Sequence, residues 1–196
     1  QNYQGQVDWY LAPVLSGHYE PEYAFDISTD PERWKSGQKG LNVSFGSTNA
    51  LYFRTDVPAL SGETRSLTKT GWRGERINAQ LLVWSVDTLQ QVRFIVDDLK
   101  NNKGAILSKD HINLNMVRYV LSNYPYGAKD VVCGNTPYKN TYLMPDRFES
   151  FDRFDVPGRT VRPVWLSLNI PPGTQPGLYK GTVEVQAKVY REKLEL

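Results

Sequence analysis

Pro163-Val164-Trp165-Leu166-Ser167-Leu168-Asn169-Ile170 alternates, and that period decides the fold. Val164, Leu166, Leu168 and Ile170 share one face; Trp165, Ser167 and Asn169 share the other. A connector follows, Pro171-Pro172-Gly173-Thr174-Gln175-Pro176-Gly177, with three prolines and two glycines. Proline has no N–H and a fixed φ, so this segment cannot continue a ladder. Leu178-Tyr179-Lys180-Gly181-Thr182-Val183-Glu184-Val185-Gln186-Ala187 then alternates again. Tyr179, Val183, Val185, Ala187 and Val189 are expected on one face, with Lys180, Thr182, Glu184, Gln186 and Lys188 opposite. A period of two reads as antiparallel strands with one buried and one wet face.

Working outward, the same period recurs. Strands are expected at 41–45 and 50–54. Residues 75–86 place Ile77, Ala79, Leu81 and Val83 inward; 89–97 place Val92, Phe94 and Val96 on one face. Residues 111–120 begin with Ile112, Leu114 and Met116 in phase and then shift to Val117 and Tyr119, the pattern of a bulge. Short strands separated by turn residues, without a sustained helical period, predict an all-β, antiparallel two-sheet β-sandwich with little helix. Residues 121–160 break the rhythm and read as a long irregular loop, a kind of segment that often serves function or an interface. Residues 1–40 are irregular and aromatic and are expected to pack on a sandwich formed by 41–196, as one domain; Asp30-Pro31 could start a short helix there.

The 163–185 stretch resembles the end of the N-terminal β-sandwich domain of family 123 glycoside hydrolases and related bacterial proteins. Val43-Ser44-Phe45-Gly46-Ser47 leading to Tyr52, Trp72-Arg73-Gly74-Glu75-Arg76 leading to Gln80, and Pro145-Asp146 are similar too. The likeness runs over about residues 40 to 190. It implies a sandwich that accompanies a catalytic domain on N-acetylhexosamine-containing glycans. Enzymes of that family use a neighbouring Asp and Glu, the Glu as acid and the Asp supporting attack by the substrate's acetamido group. This chain has no adjacent Asp–Glu pair, so no catalytic residue is carried over.

The remaining chemistry is sparse. The 196 residues carry a formal charge of +2, with no basic cluster to suggest nucleic acid or an anionic membrane. No apolar run approaches the roughly 18 residues that span a bilayer. Cys133 stands alone, and His18 and His111 have no partner at ligand spacing, so neither a metal nor a cofactor is expected. Asp97-Asp98 points to opposite faces of a strand end and suits a turn.

Two sets of binding candidates remain. Trp72, Arg73 and Glu75 either hydrogen-bond and stack on a sugar, or form an internal ion pair with the indole packed on it. Trp165, on the face opposite Val164 and Leu166, either stacks on a sugar ring or packs against protein. Tyr124, Tyr126, Tyr138 and Tyr142 each pair a ring with a hydroxyl and are expected at the face that meets a catalytic domain of the same polypeptide. Phe148, Phe151 and Phe154 are expected to fold back on the sandwich.

The start at Gln1 reads as a mature N-terminus after signal-peptide removal, which points to a secreted, periplasmic or cell-surface protein. Residues 191–196 still alternate, like a cut beyond a strand of a longer chain. The reading is a non-catalytic support domain; the alternative is a stand-alone carbohydrate-binding module.

Overall fold

A computed structural model of the chain describes residues 32, 34–35, 39–58, 65–122 and 142–196. Among the described residues twelve strands run in chain order. They are β1 (Asn42–Gly46), β2 (Arg76–Ser85), β3 (Leu89–Val96), β4 (Leu99–Asn101), β5 (Ile106–Leu107), β6 (Ile112–Ser122), β7 (Tyr142–Glu149), β8 (Phe154–Val156), β9 (Thr160–Asn169), β10 (Tyr179–Lys180), β11 (Thr182–Ala187) and β12 (Tyr190–Glu195). Among the described residues the one helical element is a 3₁₀ turn at Lys109–His111. The described residues fall into two compact units. Thr29–Arg118 with Pro145–Leu196 makes the larger, to which the following description applies. The smaller is represented by residues 119–122 and 142–144, the end of β6 and the start of β7.

The fold is all-β, and its named strands pair antiparallel. One sheet has the order β1-β2-β9-β6-β7 and another β12-β11-β3-β8. A small third sheet, β10-β4-β5, was not foreseen. None of the three closes into a barrel. The backbone of the large sheet is the β2–β9 ladder, which runs unbroken from Arg76↔Asn169 to Ser85↔Thr160. Val43, Phe45, Leu81, Val83, Val164 and Leu166 from that sheet meet Leu89, Val92, Val156, Val183, Val185 and Leu194 from its partner in one core. The inward alternation expected for β2, β9 and the Val183–Ala187 part of β11 is the alternation observed.

Three expectations are corrected. The stretch 178–189 is not one strand. It breaks at Gly181, so that Tyr179 pairs with Asn101 in the small sheet while Val183 pairs with Val96 and Leu194 in the partner sheet. A Cβ on Gly181 would lie 2.4 Å from Leu99 Cδ2, so the close approach of the two chains requires glycine there. Gly181 N–H donates to Leu196 O at 3.0 Å and Leu196 N–H returns to Gly181 O at 2.9 Å. Val189, expected inward, is 77% exposed; it follows Lys188, whose φ of 47° marks the turn into β12.

Residues 121–160 are not one loop either, because β7 and β8 lie within them. β7 reads YLMPDRFE, and its proline hid it from a pattern search. Proline is tolerated there because β7 is the last strand of its sheet and an edge position leaves one row of N–H groups without a ladder partner. Residues 50–54 form no strand. They lead into a segment whose Thr55 carbonyl accepts from the buried Trp34 indole Nε1 at 3.0 Å, and Arg54 O accepts from Val161 N–H at 2.9 Å.

Irregularity also falls where it was not expected. The β3–β8 register shifts between Leu89 and Val92, and Gln91 sits at φ 57°; its N–H donates to Asp155 Oδ1 at 2.8 Å. The β6–β9 ladder pairs Ile112 through Met116, so the inward set Ile112, Leu114 and Met116 keeps one phase. Of the phenylalanines, Phe151 and Phe154 do fold back, clustering with Phe94 at centroid distances of 4.9 to 6.2 Å; Phe151 meets both other rings edge-to-face and Phe94–Phe154 is tilted. Most of residues 1–40, including His18 and the possible helix start at Asp30, and Cys133 lie outside the described residues.

Candidate functional site

Trp72-Arg73-Gly74-Glu75 is a β-turn. Glu75 N–H donates to Trp72 O at 3.0 Å, and Gly74 occupies the third position at φ 84°. That φ is the signature of a type II turn and strongly favours glycine. The turn is pinned to the end of β9: Gly74 N–H donates to Ile170 O and Ile170 N–H to Glu75 O, both at 2.8 Å. The Glu75 carboxylate does not pair with Arg73. It accepts from the Trp72 backbone N–H at 2.7 Å, and Arg73 points into solvent. With no ion pair to cover, the Trp72 indole stands 81% exposed.

That indole marks the mouth of a cleft of about 900 Å³ at one end of the sandwich. Ala79, Ile112, Leu166 and Leu168 supply its floor from the large sheet, and Leu99 and Leu107 come from the small one. The proline-rich connector 174–178 and the segment 66–73 make its walls, and Leu196 lines it as well. Of these floor residues Ala79, Leu99, Leu107 and Leu166 are buried, so the cleft reaches down to the core. Leu178, 64% exposed, faces the same space as Trp72. Among the described lining residues Glu195 is the one Asp or Glu, whereas glycoside hydrolysis uses two carboxyl groups about 5 to 9.5 Å apart. Polar and charged side chains, among them Lys69, Arg73 and Lys180, share the lining with the apolar ones. Among the described residues no group of three His, Cys, Asp or Glu could hold a metal.

Trp165 lies elsewhere, on the outward face of the large sheet. It is half-buried, its Nε1 donates to Asn78 Oδ1 at 3.3 Å, and its ring meets Phe148 of β7 at a centroid distance of 5.4 Å. Trp165 and the Trp72 turn are thus separate places, on the outward face and at the open end. Tyr124, Tyr126 and Tyr138 lie outside the described residues; Tyr142 opens β7. Leu178 and Phe148 had not been singled out as site residues. For Leu178 a signal existed, an apolar residue after a Pro-Gly turn; the partner of Phe148 is seventeen positions away and no local pattern announces it.

The strongest electrostatic feature lies beside β7. Arg118 Nη2 donates to Glu149 Oε1 at 2.9 Å, and Arg147 Nη2 to Oε2 at 2.6 Å. The hydrogen bond from Arg118 holds the Glu149 carboxyl below its ordinary value of 4.5, against a smaller opposing effect of burial. Asp97 and Asp98 act as turn anchors: Thr182 Oγ1 donates to Asp97 at 2.6 Å and Lys109 N–H to Asp98 at 2.9 Å.

The described strands build a two-sheet antiparallel sandwich with an apolar-lined cleft at the Trp72 turn. The model of the glycoside hydrolase 123 N-terminal domain matches residues 45–187, and the chain belongs to that family. Among solved structures, 16 chains match. One is a family 123 glycoside hydrolase from Clostridium perfringens, studied for glycolipid glycan hydrolysis, with a TM-score of 0.68 and 20% identity. The match covers 81% of this chain but only 26% of that one, so the chain spans about a quarter of its relative's length. No curated protein matches. No described helix is long and apolar enough to cross a membrane.

Proposed function

We propose that this chain is the non-catalytic N-terminal support domain of a glycoside hydrolase acting on N-acetylhexosamine-containing glycans. The catalytic part of the same polypeptide would dock on the cleft between Trp72 and Leu178. The observation that carries this reading is the open apolar end itself. Burying apolar surface is worth roughly 25 cal/mol per Å², and an indole and a leucine left in water at the mouth of an apolar cleft mark a surface that meets something. Leu196 lines the same cleft, so any chain following it leaves from the docking surface. The relative's additional length and its hydrolysis of glycolipid glycans support an enzyme as the parent. Tyr124, Tyr126, Tyr138 and Tyr142 are carried into the proposal as a second region of that interface, in a secreted or cell-surface protein.

Hydrogen exchange on the 196-residue chain and on the longer polypeptide tests the docking. Protection gained at 66–73 and 174–181 in the longer protein is the expected result. Equal protection in both would remove the cleft from the interface.

A further inference from the structure

The outward face of the large sheet has an unusual composition around Trp165. In one cross-strand row Gln80, Trp165 and Asn115 stand side by side; in the next stand Asn78, Ser167 and Asn113. Directly opposed residues of an antiparallel pair share a face, so four amides surround one indole. Phe148 reaches Trp165 from β7, across the intervening β6, at 5.4 Å and 34°. Two strand spacings separate their backbones, so the rings lean together above β6 and form a small platform. Phe148 remains 54% exposed.

These amides are not consumed by the fold. Asn78 Oδ1 accepts from both Trp165 Nε1 and Ser167 Oγ, at 3.3 and 2.8 Å, which fixes the side chain and turns its amide N–H₂ away from both. The amides of Asn113 and Asn115 engage no described protein group. Gln80 is 4% exposed, yet its Oε1 has no donor. A buried carbonyl without a donor is costly and calls for an explanation. The outward face of the other sheet shows what an ordinary wet surface does here. There Lys193 pairs with Glu184, and Arg93 Nε donates to Gln186 at 2.8 Å. Its groups are mostly charged and pair with one another; those around Trp165 are neutral, and the Asn113 and Asn115 amides among them engage no described group.

From this we propose that the Trp165–Phe148 platform and the amides of Asn78, Asn113 and Asn115 form a shallow subsite for an uncharged pyranose ring of a glycan. Sugar rings offer an apolar C–H face for an aromatic platform and vicinal hydroxyls that both donate and accept, which a planar amide matches with its own donor and acceptor. Of the described charges on this face, Arg76 is engaged by Asn169 Oδ1 at 2.7 Å, and Asp146, two residues before Phe148 on the same face of β7, is an anion, so the described patch does not favour a carboxylated sugar. The subsite lies on the outward sheet face and the docking cleft at the open end, so either can fail without the other.

The test is NMR titration of the ¹⁵N-labelled chain with N,N′-diacetylchitobiose and with lactose, using digalacturonate as the charged comparison. Saturable shifts are expected for the Trp165 indole and the Asn78, Asn113 and Asn115 side-chain amides, with a Kd of about 1 mM for at least one neutral sugar. Trp165→Ala should weaken binding about tenfold or more, as loss of a stacking ring does. Asn113→Ala, an exposed change that leaves the fold intact, should weaken it several-fold. No shifts up to about ten times that concentration, shifts confined to the cleft around Trp72, equal affinity in Asn113→Ala and wild type, or preference for digalacturonate would each overturn the proposal.

Discussion

Glu75 shows how little a sequence pattern says about the partner of a charge. Arg73 and Glu75 lie two residues apart, yet the carboxylate accepts from the backbone N–H of Trp72, three residues back, at the start of the turn it closes. The consequence is a graded set of stabilities. Gly74→Ala puts a Cβ at φ 84° and should cost about 1–2 kcal/mol. Glu75→Ala removes one hydrogen bond from an exposed turn and should cost about 0.5–1.5 kcal/mol. Arg73→Ala should stay within about 0.5 kcal/mol. Urea unfolding of the three variants checks the order, and an Arg73 cost equal to that of Glu75 would restore the ion pair. Glu149 gives a second test. Its folded pKa lies below 4.5, so its contribution is present above the unfolded pKa and is lost as pH falls through the folded one. Glu149→Gln should therefore be less stable than wild type near neutral pH, with the gap closing below about pH 4.5. Because the carboxylate is partly exposed, screening keeps the gap small. Urea midpoints across that range measure it.

At the scale of elements, the decisive feature is a break. β10 and β11 are contiguous in the chain and belong to different sheets. Gly181 permits this by letting Leu99 fill the space a side chain would take. Gly181→Ala should cost about 1–3 kcal/mol through overpacking. Leu99→Ala opens a cavity of its own, and in the double variant the two costs should fall short of their sum, because one makes room for the other. Additive costs in chemical denaturation would place the strain elsewhere. β7 teaches the complementary lesson. Its Pro145 is compatible with a strand only at a sheet edge, and edge position is a property of the assembled sheet.

For the whole molecule, the question is whether the domain can act alone. Hydrolysis of a glycosidic bond uses two carboxyl groups held across the sugar, or one carboxyl and a substrate amide oriented by another. The chain has no adjacent Asp–Glu pair, and Glu195 is the one Asp or Glu among the described residues lining the cleft. Purified chain should not turn over aryl β-N-acetylhexosaminides. Turnover abolished by a substitution in this chain, and not by further purification, would reverse that expectation.

Much of this architecture was legible along the chain. Alternation at Ile77–Val83, Val164–Leu168 and Val183–Ala187 determined which side chains enter the core, because a strand's side-chain period is two whatever its partner. The prolines of 171–176 determined that the chain must leave its ladder there. The match to a family's domain also came from these local strings. What the tertiary structure alone decided was pairing between distant segments. The splitting of 178–189 between sheets depends on Leu99, the tolerance of Pro145 on having no neighbour beyond β7, and the meeting of Phe148 with Trp165 on the order of β9, β6 and β7. The exposure of Trp72 and Leu178 belongs to the same kind. It arises where the segment 66–73, the connector 174–178 and residues of two sheets line one cleft, a relation between distant segments that no single stretch of residues encodes.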